Sequence, residues 1–77
     1  MEKAKNINTT IEEYINGEWI RATVKGLYYR GEYDVNIYYF RNLSYSIFSI
    51  FDCERIVCKR LSTINKKLTE KGFEKGL

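Results

Sequence analysis

Histidine is missing from this 77-residue chain. With it go the commonest general base, the commonest zinc ligand and every Ser–His or Cys–His nucleophile pair. Thiols are nearly as scarce, Cys53 and Cys58 being the only two. A structural zinc site takes four Cys or His ligands, so a single chain cannot close one here, and only a site shared across a dimer is left. Five residues apart on an extended segment, the two thiols point to opposite faces, which disfavours a disulfide. They read as small, mostly buried apolar side chains in a reducing compartment. The five glycines form neither Gly-x-Gly-x-x-Gly nor a phosphate loop. Glu12 and Glu13 are adjacent, but on a strand they face opposite ways and cannot share a proton, so they read as solvated charges. Long apolar runs are absent as well. The longest uncharged stretch, Asn42 to Phe51, is broken by three serines and falls short of a membrane span. Glu2, Lys3 and Lys5 open the chain with no apolar block behind them, so no secretory signal is expected. The expectation is a protein that is not an enzyme, binds no cofactor or metal, stays off membranes, and is cytoplasmic, or nuclear in a eukaryote.

What is present is a globular balance of 44% apolar and 30% charged residues, enough for one domain. A compact chain of this mass exposes roughly 4,900 Å², so the core is small. Twelve aromatics are the main anomaly, and eleven lie between Tyr14 and Phe51. Tyr, Trp and β-branched residues favour pleated, half-buried surfaces, so this region reads as sheet. Asn16-Gly17, a strong hairpin signal, separates Ile11–Ile15 from Glu18–Leu27. Tyr29-Arg30-Gly31 marks a second turn and residues 41–44 a third. Glu32–Phe40, Tyr45–Phe51 and a short piece near Arg55–Cys58 complete five strands.

Alternation assigns faces. Ile20, Ala22, Val24 and Gly26 share one side of their strand, opposite Trp19, Arg21, Thr23 and Lys25. Tyr33, Val35, Ile37 and Tyr39 likewise oppose Asp34, Asn36, Tyr38 and Phe40. The fourth strand has Ile47 and Phe51 on one face and Phe48 and Ile50 on the other, so its second face needs a cover, either another part of the chain or a partner. Residues 62–71 form a short helix, with Ser62 or Thr63 as N-cap and Gly72 as stop. Leu61, Ile64 and Leu68 make its apolar stripe, and Lys66, Lys67 and Lys71 its wet side. Five short strands would leave open edges as a flat sheet, and curling removes them. The expected architecture is mainly β, a five-stranded barrel over 9–60 with a short C-terminal helix in 61–73. Flexible ends are expected at 1–8 and 74–77.

Gly17-Glu18-Trp19-Ile20-Arg21-Ala22-Thr23-Val24 followed by Gly31-Glu32-Tyr33-Asp34-Val35 resembles the core of SH3-like barrels, Tudor and Agenet modules above all. Asp52-Cys53-Glu54-Arg55-Ile56 resembles the turn and last strand that close such barrels. The likeness spans residues 11–58, and its degenerate motifs bear on fold more than on function. The same stretch is similar to the plasmid-encoded, trimethoprim-insensitive dihydrofolate reductases, which are tetramers. Tyr45-Ser46-Ile47-Phe48 and Glu54-Arg55-Ile56 stand at that family's Val-Gln-Ile-Tyr and Glu-Arg-Ile. Ser46 and Phe48 replace its glutamine and tyrosine, and the polar groups for pterin and nicotinamide are lost with them.

Charge is uneven: residues 1–52 carry a net −1 and residues 53–77 a net +4. Arg55, Lys59, Arg60, Lys66 and Lys67 form a run without an acid. With Arg21, Lys25 and Arg41 they make a candidate DNA- or RNA-binding surface, the barrel aromatics stacking on bases. The other reading of +3 is ordinary solubility charge. The alternative function is a protein-interaction module or inhibitor, of mobile-element or phage type, binding through Trp19, Tyr28, Tyr29, Tyr38 and Phe40. A methylated-cation cage would draw on Trp19, Tyr38 and Phe40, with Asp34 as its carboxylate. For any one tyrosine, core filling is the competing role. A homo-oligomer is compatible with all of these.

Overall fold

The computed structural model describes residues 3–77. Four antiparallel strands, β1 (Lys5–Ile15), β2 (Glu18–Tyr29), β3 (Glu32–Ser44) and β4 (Ile47–Cys58), lie in the order β1-β2-β3-β4. A single helix, α1 (Leu61–Glu70), follows. The chain is thus mainly β with a C-terminal helix, but the five-stranded barrel is not confirmed. The sheet is open, with β1 and β4 as its two edges. The radius of gyration, 13.2 Å, exceeds the roughly 11.5 Å of a compact chain this long. The accessible surface of 5581 Å² likewise exceeds the compact-chain figure.

Two expected turns are where the sequence puts them. Asn16 and Gly17 have φ of 50° and 84°, and Arg30 and Gly31 have 51° and 77°. Two successive positive φ values define the type I′ turn, whose twist matches the flanking strands. The third turn is displaced. Residues 41–44 continue β3, and the chain reverses at Tyr45-Ser46 instead. Tyr45 adopts a φ of 50° there, while the Asn42 amide donates to the carbonyls of Tyr45 (2.7 Å) and Ile47 (3.2 Å). The two last expected strands then merge into one. A bulge between Tyr39 and Phe40 in the pairing leaves Phe51 as the extra residue of β4, and the strand runs through it.

β1 also starts earlier than expected. Lys5 to Asn8 pair with Tyr28 to Lys25, so this part of the expected loose N-terminus is strand, while residues 1 and 2 lie outside the described residues. The core collects on one face of the sheet. Ala22, Val24, Val35, Ile37 and Tyr39 are fully buried there beneath Ile64, Leu68 and Phe73. A Cβ on Gly26 would overlap the Asp34 carbonyl oxygen and the Val35 backbone, so β2 and β3 need a glycine to come this close there.

The helix begins at Leu61 with Arg60 as N-cap and no side-chain cap, one residue before the expected Ser62 start. Its end is well made. Gly72 takes a φ of 98°, its N–H bonds the Thr69 carbonyl, and the Phe73 N–H bonds the Leu68 carbonyl. This is the Schellman arrangement, with Phe73 packed on Leu68 as its apolar contact. The expected flexible tail is tethered. The Glu13 carboxylate accepts from the N–H groups of Glu74 and Lys75, both at 2.8 Å, and Asn65 accepts from that of Leu77. Glu13 is therefore a clamp rather than the solvated charge its sequence context suggested.

Candidate interaction surface

Pairing register fixes what lies on the face away from α1. Reading across the sheet, one row is Tyr14, Trp19, Asn42 and Phe48, and the next is Glu12, Arg21, Phe40 and Ile50. A third row is Thr10, Thr23, Tyr38 and Cys53. Toward the other end the rows turn polar: Asn8, Lys25, Asn36 and Arg55, then Asn6, Leu27, Asp34 and Val57. Nothing among the described residues covers this face. Of eleven large apolar side chains left exposed, six (Tyr14, Trp19, Leu27, Tyr29, Ile50 and Val57) lie on it. Tyr14, Trp19 and Ile50 gather at one end of the face, and Leu27, Tyr29 and Val57 lie at the other.

The aromatic end is ordered by its own contacts. Tyr14 packs on Trp19 with ring centroids 5.6 Å apart. The Arg21 guanidinium lies 3.9 Å from the centroid of Phe48 and is held flat by Glu12, at 2.6 and 2.8 Å. Between Trp19, Phe48 and the Tyr45 turn is a shallow dish of about 310 Å³. Thr10 and Thr23 share a hydroxyl hydrogen bond of 3.1 Å across the strands. These contacts hold the side chains of this end in fixed places.

The expected basic surface does not assemble on one face. Arg21, Lys25 and Arg55 lie on the open face, whereas Arg41 is paired with Ile20 on the opposite one. Lys59 and Arg60 sit in the β4–α1 connection, and Lys66 and Lys67 on the helix. Four of the eight are neutralised within the molecule. Arg21 pairs with Glu12, Arg41 with Glu18, Arg55 with Asp34 and Lys67 with Glu70. The Arg55 pair is bidentate, at 2.9 and 2.7 Å, and it holds the Asp34 carboxyl below its ordinary range. Among the described residues no carboxylate forms an ion pair with Lys25, Lys59, Arg60 or Lys66.

The aromatics expected to meet a partner divide similarly. Trp19, Tyr29, Tyr38 and Phe40 share the open face, Tyr29 at its far end. Tyr28 is on the other side, packed against Tyr33 with the rings tilted at 49° and centroids 4.4 Å apart. A cage from Trp19, Tyr38, Phe40 and Asp34 is not formed. The aromatics occupy successive rows of a pleated plane, and Asp34 lies at the polar end with both carboxylate oxygens on Arg55. Sequence reasoning missed Tyr14 and Val57 as surface members, whereas alternation already placed Phe48 and Ile50 together on an apolar face in need of a cover. The alternation carries them, but only the register shows which strands bring them together.

On the covered face, polar groups serve to fasten α1. Lys71, at the helix C-cap, bonds Asp52 and sits 5.0 Å over the Tyr39 ring. The Lys71 ammonium and the Cys53 N–H draw the Asp52 carboxyl below its ordinary range. The Tyr39 hydroxyl donates to Glu54 at 2.8 Å, and burial together with that carboxylate pushes its pKa strongly upward. Cys53 is exposed on the open face, unlike the buried thiol expected, and Cys58 is half-buried on the other. Among the described residues no cluster of His, Cys, Asp or Glu is arranged to hold a metal, and no helix is long and apolar enough to cross a membrane.

No family model, curated protein or solved structure matches this chain.

Proposed function

We propose that this chain is a non-catalytic protein-interaction module that binds through the aromatic end of its open sheet face. The observation that carries the reading is the gathering of Tyr14, Trp19, Phe40, Phe48 and Ile50 on two adjacent rows with no covering layer. Tyr and Trp dominate binding hot spots because they bury large, stiff, amphipathic area. Charge favours protein over nucleic acid as the target. Phosphate binding needs cations free to release counterions, and half of the candidate cations are already matched by carboxylates. An SH3-like barrel would need the β1 and β4 edges to meet, and the proposal does not depend on it.

Nucleic-acid binding is the second reading, supported by the unmatched Lys59, Arg60 and Lys66. A salt titration against fluorescent single- and double-stranded oligonucleotides separates the two. The protein-binding reading expects flat traces at low salt. Micromolar binding that weakens steeply with salt, and that is lost in a folded K59E/R60E double variant, would replace it with the nucleic-acid reading.

A further inference from the structure

We infer that the occupant of the open face is a second copy of this chain, packed face to face as a two-sheet sandwich with one helix on each outside. The inference rests on the protein-binding reading and names its partner. Charge is the first argument. The face carries three acids (Glu12, Glu32, Asp34) and three bases (Arg21, Lys25, Arg55), so it is neutral on a chain whose total is +3. A surface of one sign repels its own copy, and a balanced surface, here with Arg21–Glu12 and Arg55–Asp34 already paired, does not.

Size is the second argument. Four strands of 11 to 13 residues make a face roughly 40 Å by 19 Å, close to the ~800 Å² per partner that stable interfaces bury. The third is geometry. With a two-fold axis in the interface running parallel to the strands, β1 faces β4 of the second copy and β2 faces its β3. Aromatic rows then meet aromatic rows and polar rows meet polar rows, as an isologous interface requires. Antiparallel sheets with both faces apolar reach stability by such layering.

Sedimentation of the full chain from micromolar to millimolar concentration tests this, with thiol alkylation read in parallel. The expected result is a monomer–dimer equilibrium in which Cys53 loses reactivity several-fold as the dimer fills, while Cys58, on the other face, keeps its rate. Tyr14→Lys and Ile50→Lys, on opposite edges of the face, should each move the midpoint at least tenfold higher without lowering the monomer's Tm. A monomer at every concentration overturns the inference and leaves the protein-binding reading standing with a foreign partner. A dimer weakened by Ile50→Lys but not by Tyr14→Lys overturns it in favour of pairing along the β4 edge. A dimer in which Cys53 stays reactive overturns it in favour of another surface.

Discussion

The two faces of this sheet are built from the same alternating strands and differ in what they meet. On the α1 side Ala22, Val24, Val35, Ile37 and Tyr39 are fully buried in one core with Ile64, Leu68 and Phe73. On the other side the same strands present Trp19, Phe40 and Ile50 beside Arg21 and Glu12, with nothing above them. The first face stabilises the chain because burial removes apolar area from water at about 25 cal/mol per Å². The second still holds that area in water, so its free energy is available to a partner. On the proposed function, the two faces divide folding from binding.

Equivalent truncations on the two faces should sharpen that division most. Phe73→Ala removes a fully buried ring and the apolar half of the helix stop, and should lower unfolding free energy by about 3–5 kcal/mol in urea titration. Ile37→Ala should cost about 2–5 kcal/mol, whereas Ile50→Ala should stay within about 0.5 kcal/mol for the monomer. Equal losses at Ile37 and Ile50 would break the comparison.

A smaller effect is expected from pH. Asp34 and Asp52 have folded pKa values below their ordinary 3.8, through Arg55 and Lys71 respectively. A carboxyl lowered on folding stabilises fully above its unfolded pKa and loses that contribution as pH falls through the folded value. Lys71 is raised above 10.5, so its contribution is lost only as pH rises past that point. The Tm should therefore be level from about pH 5 to 9 and fall below pH 3.8. Arg55→Gln should flatten part of the acid limb in a pH series of thermal melts. The smallest effect belongs to the turn. Tyr45 is 98% exposed with a φ of 50°, so Tyr45→Gly loses no packing, relieves a left-handed conformation and should raise stability by up to about 1 kcal/mol.

Local chemistry explains what the sequence made legible. Asn16-Gly17 and Arg30-Gly31 place glycine where a type I′ turn needs a positive φ, and Gly72 does the same for the helix stop. The Tyr45-Ser46 turn has no glycine. The polar residues 41–44 imitate a turn just before it, and that shift splits one bulged strand into two expected ones. The barrel expectation followed from that extra strand. Phe73 was invisible because a single aromatic beyond a helix has no periodicity. The candidate site was legible in part. Alternation put Trp19, Tyr38 and Phe40 on one face, but pairing Glu12 with Arg21, Glu18 with Arg41 and Asp34 with Arg55 depends on cross-strand register. A linear charge count cannot see those pairs, so it overstated the free positive charge.

The most direct test of the division between faces uses Trp19, the only tryptophan in the chain and about half exposed, at 49%. Its emission and acrylamide quenching would be followed in dilute, sedimentation-verified monomer and again with the face occupied. The account predicts a readily quenched indole in the monomer, and blue-shifted, protected emission on association. An indole already protected in the monomer, with no change on association, would contradict it.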